Sequence, residues 1–181
     1  MPLPFELSLS SSAAAAGLDD MSNEPLSKLH VDLPNHWATG GESLWAADLG
    51  SDRYRLDNVP FYAYDLNFHD VVEAKSAAPE LRPTVLRVVE RSGHRTMRVF
   101  FADEVAEETR LARVRSLSDL HTSFERCSSR YFALDLEPEA DADAVEHRLQ
   151  KWIAECIAEY ETCEARVPGT FDDAPASRDG D

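Results

Sequence analysis

Residues 82–101 read RPTVLRVVERSGHRTMRVFF and decide how the rest of the chain is interpreted. Two runs rich in β-branched and aromatic residues, 85–91 and 96–101, flank the short polar sequence Ser92-Gly93-His94. A glycine in a brief polar interruption between two such runs is typical of a β-hairpin. We therefore predict that the two runs pair with each other. In the second run, alternation places Met97, Val99 and Phe101 on one face and Thr96, Arg98 and Phe100 on the other.

The same stretch concentrates positive charge in an acidic protein. The 181-residue chain has 18 Lys and Arg against 34 Asp and Glu, a formal net charge of −16, yet Glu90 is the only acid among five arginines here. Clustered guanidinium groups, with backbone amides of the turn, could hold a carboxylate or phosphate through forked N–H donors. The candidate binding residues are Arg87, Arg91, Ser92, His94, Arg95 and Arg98. The alternative, favoured on general grounds, is that these arginines form solvated ion pairs worth about 0–1 kcal/mol each.

A β-rich unit is predicted before this stretch. Short β-patterned runs occur at 29–33, 43–49, 54–59 and 71–74, and Gly50-Ser51-Asp52 is a turn that favours a hairpin between the second and third runs. Its aromatic residues could stack nucleic-acid bases. They more commonly form the core of such a unit, and the net acidity disfavours nucleic acid. We expect a small, barrel-like β unit.

Helical periodicity begins after Ala102. Apolar residues recur every three or four positions at Leu111, Val114, Leu117, Leu120 and Phe124, which predicts one broken helix or a loop followed by a shorter helix. A strand at 131–136 follows. A second helix begins near Asp141 and Asp143, where acids favour a helix N-terminus, and its predicted apolar stripe is Val145, Leu149, Trp152, Ile153, Cys156 and Tyr160. With a last strand at 161–167, the order strand, helix, strand, helix, strand predicts an α+β fold. We expect a ferredoxin-like layer with two helices on one face of an antiparallel sheet.

These patterns divide the chain into four predicted parts. Residues 1–27 are expected to form a disordered tail, with Met1 and Met21 both open as the true start, and residues 168–181 a disordered acidic tail. Between them we place a β-rich subdomain at 28–80 and the ferredoxin-like subdomain at 81–167.

Several sequence words resemble a bacterial domain-of-unknown-function family, the one catalogued under the number 4265. They are ESLWA from residue 42, YRLDNVPFYAY from 54, DVVEA from 70, RVVERSGHRTMRV from 87 and YFALDLEPEADADAVEHRLQKW from 131. The resemblance covers about residues 29–165, and the first half is more specific. Asn67-Phe68-His69 departs from the small Gly-containing step of other members, which we interpret as a loop variation. The resemblance supplies no activity, cofactor or catalytic residue.

No catalytic, metal or cofactor motif emerges from the sequence. His94 could act as a base with Glu90 or Asp103, giving a hydrolase-type enzyme, but nearby Ser92 belongs to the same turn and no nucleophile elbow is present. The histidines lack HxH or HExxH spacing, and no glycine-rich phosphate loop occurs. We therefore predict no catalytic residues, no metal and no cofactor. Three cysteines without CxxC spacing, no apolar run of membrane-spanning length and no secretory signal favour a cytoplasmic protein.

Three functions remain open, in decreasing order of preference. The first is a non-enzymatic interaction module, of the immunity or antitoxin kind, that binds a basic protein partner through complementary charge. The second is a regulatory domain that binds a small anion at the Arg-rich hairpin 85–101. The third is an enzyme that uses His94. The sequence leaves the oligomeric state open.

Overall fold

The computed structural model describes residues 25–164 except 35, 37 and 38, and the described part contains nine strands and two α-helices. The strands are β1 (Leu26–Asp32), β2 (Gly41–Gly50), β3 (Arg53–Leu56), β4 (Val71–Lys75), β5 (Thr84–Glu90), β6 (Arg95–Phe101), β7 (Thr122–Arg126), β8 (Tyr131–Leu136) and β9 (Ala158–Thr162). The helices are α1 (Glu107–Arg115) and α2 (Ala142–Ala154). The fold is α+β and dominated by two sheets. The predicted tail at 168–181 and most of the tail at 1–27 lie outside the described residues, whereas Leu26 and Ser27 begin β1.

The first sheet contains β1 to β5 in chain order, each antiparallel to the next. It curls until β1 also meets β5 at one parallel bridge, His30 with Thr84, where the His30 amide donates to the carbonyl of Pro83 at 2.8 Å. Closure rests on that bridge, so the unit is a curled sheet and not a continuously paired barrel. Its interior contains the buried residues Leu29, Val31, Leu44, Leu56, Leu66 and Val72.

The second sheet has the strand order β7-β8-β6-β9, and all its pairs are antiparallel. One face of β6 buries Met97, Val99 and Phe101, as the alternation predicts, against both helices. The helical side of this core includes Val114, Val145, Leu149 and Trp152. Asp141 caps α2 by accepting a hydrogen bond from the Ala144 amide at 3.0 Å, which confirms the predicted helix start. Neither helix of the described part is long and apolar enough to span a bilayer.

The predicted hairpin of the two arginine-rich runs is wrong. β5 pairs with β4 and β6 pairs with β8 and β9, so the two strands belong to different sheets. Arg91–His94 is the connection between the sheets, with Gly93 at φ +87°. The two runs separate because each has its own core to fill: Val85 contacts the first, whereas Met97, Val99 and Phe101 contact the second. The chain thus passes from the first sheet to the second at residues 91–94, later than the expected boundary at 81.

Two further boundaries differ from the predicted ones. α1 ends at Arg115, and Phe124 belongs to strand β7, where it pairs with Leu134. A five-residue strand is too short for its two-residue period to be distinguished from helical spacing. The last strand begins at Ala158 instead of Glu161, since the backbone turns at Cys156 (φ +58°). Three residues placed on the buried stripe of the second helix are not on it. Ile153 is 44% exposed, Cys156 is exposed and lies beyond the end of α2, and Tyr160 belongs to β9.

The α2 stripe gives a direct test of this packing. Leu149→Ala should lower the free energy of unfolding by about 2–5 kcal/mol, because Leu149 is buried between helix and sheet. Ile153→Ala should change it by less than about 1 kcal/mol, because that side chain is half in water. Urea denaturation of both variants measures the difference. Equal losses would contradict the helix orientation described here.

Candidate functional site

Many side-chain and backbone hydrogen bonds form a polar seam between the two sheets. We call it the seam: it is formed by residues 57–70, which connect β3 to β4, lying against the face of the second sheet opposite the helices. Tyr131 donates its hydroxyl to the carbonyl of Phe61, and the Asp65 amide donates to the carbonyl of Cys163 at 2.9 Å. An irregular backbone segment therefore has its polar groups satisfied by the other unit.

Arg98 lies in the middle of this seam and is 1% exposed. Its guanidinium donates to the carbonyls of Pro60 (3.3 Å) and Ala63 and to the Glu161 carboxylate (3.0 Å). It also stacks over the ring of Tyr64, whose hydroxyl donates to Glu161 at 2.8 Å. Arg98 is one of the candidate anion-binding residues of the predicted Arg-rich hairpin. Its donors are instead used within the protein, and solvent does not reach them.

Glu42 performs the complementary role from the first sheet. This buried carboxylate accepts hydrogen bonds from three consecutive amides, Phe61 (2.6 Å), Tyr62 (3.0 Å) and Ala63 (2.9 Å). Glu125 of β7 accepts from the Val59 amide at 2.8 Å, and burial raises the pKa of the Glu125 carboxyl. Sequence reasoning missed both glutamates, because a lone acid in a strand pattern carries no signal of the distant amides that it binds.

Two acids of the 57–70 segment fix the connection at 91–94. Arg91 donates to Asp65 at 2.6 Å and to Asp70 at 3.2 Å. The Ser92 amide donates to Asp70 at 2.8 Å, and the Ser92 hydroxyl donates to the carbonyl of Phe68 at 2.7 Å. These contacts match the ion-pair alternative considered for the arginines. They also place the Ser92 hydroxyl in a local structural role.

His94 pairs with Asp135 of β8 through Nδ1 at 2.8 Å. The ring of His69 lies edge-on to it, with centroids 5.4 Å apart, and stacks on Phe68. Burial lowers the pKa of His69, and the nearby His94 adds to that effect; burial raises the pKa of Asp135, against the opposing hydrogen bond from His94. An Asp-oriented imidazole is what a general base requires.

Ser92, the nucleophile near His94 in sequence, is not oriented for activation by this imidazole. The Ser92 hydroxyl accepts a hydrogen bond from the backbone amide of His94 at 3.2 Å, and its proton is directed to acceptors of the 65–70 segment. The acids proposed as partners of His94 are engaged elsewhere, Glu90 with Arg53 and Asp103 with Arg130. The acid partner of His94 is therefore Asp135, and the pair joins the 91–94 connection to β8.

A cavity of about 330 Å³ opens at one end of the seam. Asp65 and Arg91 line it from one side, while Arg95, Thr96, Cys163 and Glu164 line it from the other. Among the candidate binding residues, Arg91 and Arg95 line this cavity, and the others do not. Arg87 lies on β5, largely exposed and paired with Glu73 at 2.7 Å.

Three residues that the sequence did not single out could hold a metal ion. One ligand atom each of His121, Glu137 and Glu139 lies within 4.8 Å of the others, and all three side chains are accessible to solvent. The Glu137 amide donates to the carbonyl of His121, which brings together two residues that are distant in sequence. The spacing of these residues gave no signal because the contact follows from the β7–β8 pairing.

The family is decided by a match over residues 42–160, more than half of the chain. The protein belongs to the domain of unknown function family DUF4265. This confirms the resemblance in the sequence words quoted above. None of the curated proteins compared with the chain matches it significantly.

A solved structure shares the fold of this DUF4265 protein. It is described as a hypothetical protein from Neisseria gonorrhoeae, with a TM-score of 0.66 and 15% sequence identity. The match covers 78% of the present chain and 96% of the other. At this identity the comparison shows a common architecture alone.

The histidine pair predicts a specific pH dependence. A lowered pKa means that the folded state favours neutral His69, so this stabilisation is present above the unfolded pKa of about 6.5 and is lost as pH falls through the folded value. His69→Asn should therefore reduce the loss of unfolding free energy between pH 7.5 and 5.5, measured by urea denaturation. His121→Asn is the control, because His121 also has positive φ but is exposed. An equal or larger change in the control would contradict this role of His69.

Proposed function

We propose that this DUF4265 protein is a non-enzymatic interaction module that binds a protein partner of basic character, in the manner of immunity and antitoxin proteins. The observation that carries the proposal is the distribution of charge left on the surface after the internal ion pairs are formed. Complementary surface charge speeds association and selects partners of opposite sign.

Ion pairs formed by arginine use half of the 18 Lys and Arg of the protein. Nine arginines of the described part make ion pairs with Asp or Glu: Arg53, Arg87, Arg91, Arg95, Arg98, Arg113, Arg126, Arg130 and Arg148. The chain has 34 acids against 18 Lys and Arg. A large excess of carboxylates therefore remains for solvent or for a partner.

One segment concentrates that excess. Residues 137–146, EPEADADAVE, connect β8 to α2 and form its first turns, with five acids and no Lys or Arg. Asp141 caps the helix, whereas Glu139 and Asp143 are exposed and make no ion pair with a described residue. We call this segment the acidic edge. It is a fixed array of negative charge, because it joins a buried strand to a capped helix.

The fold offers a rigid support for such an edge. We infer that residues 95–162 form a ferredoxin-like layer. The chain order strand, helix, strand, strand, helix, strand and the sheet order β7-β8-β6-β9 support this, since they are those of the split β-α-β arrangement. The β7 strand, absent from the predicted order, supplies the fourth strand that this arrangement requires.

The proposal is tested by neutralising the acidic edge. The double variant Glu139→Gln/Asp143→Asn keeps the Asp141 cap, and it should bind a basic host protein, captured at low salt, about 2- to 30-fold more weakly. The estimate follows from roughly 0.2–1 kcal/mol for each exposed pair. Glu80→Gln/Glu90→Gln removes the same charge from the first unit and should leave binding unchanged. Recovery of no basic partner, or an equal loss in both variants, would refute the proposal.

A further inference from the structure

The cavity at the end of the seam brings two guanidinium groups from different units to one place. Arg91 comes from the connection between the sheets and Arg95 from the start of β6, and both side chains are about half exposed, 49% and 51%. The cavity volume of about 330 Å³ falls at the lower end of the range for small-molecule sites. Its size suits a ligand of a few carbon atoms.

Arg91 is held in place by the protein. Both terminal nitrogens of its guanidinium are occupied, one by the Asp65 carboxylate and the other by the Asp65 carbonyl and Asp70. Asp70 is 1% exposed and also fixes the Ser92 amide, so this part of the cavity wall is rigid. Arg91 therefore places a stationary guanidinium at the cavity, and its charge is balanced by Asp65 and Asp70.

Arg95 is held far more weakly. Its partner is the Glu164 carboxylate at 2.9 Å, and the Glu164 side chain is 71% exposed. An exposed pair of this kind contributes only about 0–1 kcal/mol, because both groups are well solvated when apart. Glu164 can therefore leave Arg95 at little energetic cost, and the forked N–H donors that it vacates suit another carboxylate.

We propose that this cavity binds a small carboxylate anion, which replaces Glu164 on Arg95. The Glu164 side chain acts as an internal competitor of the same chemical class as the ligand, and Arg91 provides a fixed wall beside the exchanged pair. The site involves different residues from the acidic edge. It therefore stands or fails independently of the proposed protein partner.

The exchange predicts opposite effects for the two members of the pair. In isothermal titration with succinate at pH 7.5 and low salt, Glu164→Gln should bind at least about threefold more tightly than the wild type, because the competitor loses its charge. Arg95→Gln should bind at least about tenfold more weakly. Arg87→Gln is the matched control, since it removes the same charge from an exposed arginine outside the cavity, and it should bind as the wild type does.

Three results would overturn the proposal. The first is no succinate binding by either the wild type or Glu164→Gln at millimolar concentrations. The second is an equal loss in Arg87→Gln and Arg95→Gln, which would show a general charge effect. The third is tighter binding of AMP than of succinate with the same dependence on Arg95, which would contradict the assignment to carboxylates. Circular dichroism of each variant establishes that the fold is retained.

Discussion

The burial of one arginine charge constrains the rest of this structure. Arg98 is on a central strand of the second sheet and is 1% exposed, so its charge must be met by protein groups and not by water. Two of its acceptors are carbonyls of the 57–70 segment, which belongs to the first unit, and the third is Glu161 on the neighbouring strand. Displacing the 57–70 segment while the cation stays buried would remove two of its three acceptors, and breaking a buried charge arrangement in this way typically costs about 3–5 kcal/mol.

The same segment meets a buried anion from the other direction. Glu42 accepts hydrogen bonds from the amides of residues 61–63, while Arg98 donates to the carbonyls of Pro60 and Ala63. A loop without regular secondary structure is thus fixed by a carboxylate on one side and a guanidinium on the other. This arrangement explains how an irregular segment can lie between two sheets with its backbone polar groups satisfied. It also positions Asp65 and Asp70, which fix the connection between the sheets.

Much of the architecture can be predicted from local sequence pattern, and the predictions that are wrong have a common cause. The strands at 43–49 and 131–136, the Asp141 helix start and the alternation in β6 are predictable, because each depends on residues close in sequence. The false hairpin at 85–101 shows the limit. The sequence Ser92-Gly93-His94 indicates that the chain changes direction there. Which strands pair depends instead on two hydrophobic cores, whose other residues are distant in sequence. Likewise, the 3–4 spacing that ends at Phe124 concealed β7, whose partner β8 identifies it as a strand.

The candidate site was predictable only in part, for the same reason. The arginine cluster indicated a region of unusual charge, and Arg91 and Arg95 do meet at a cavity. Arg98 and Arg87 carry the same charge but differ completely in environment, one buried and one solvated. Sequence gives the charge of a side chain but not its partners. The resemblance to DUF4265 and the shared fold of the Neisseria protein add a family and an architecture, whereas the role of the acidic edge stays a proposal.

The measurement that tests the central claim most directly is native-state amide hydrogen exchange on the wild type and Arg98→Met. If the buried guanidinium joins the two units, slowly exchanging amides of β2 and β6 in the wild type should report one common free energy of opening. In Arg98→Met they should divide into two groups with different values, one for each sheet. Amides of the two sheets that remain coupled in the variant, or that already exchange independently in the wild type, would contradict this account.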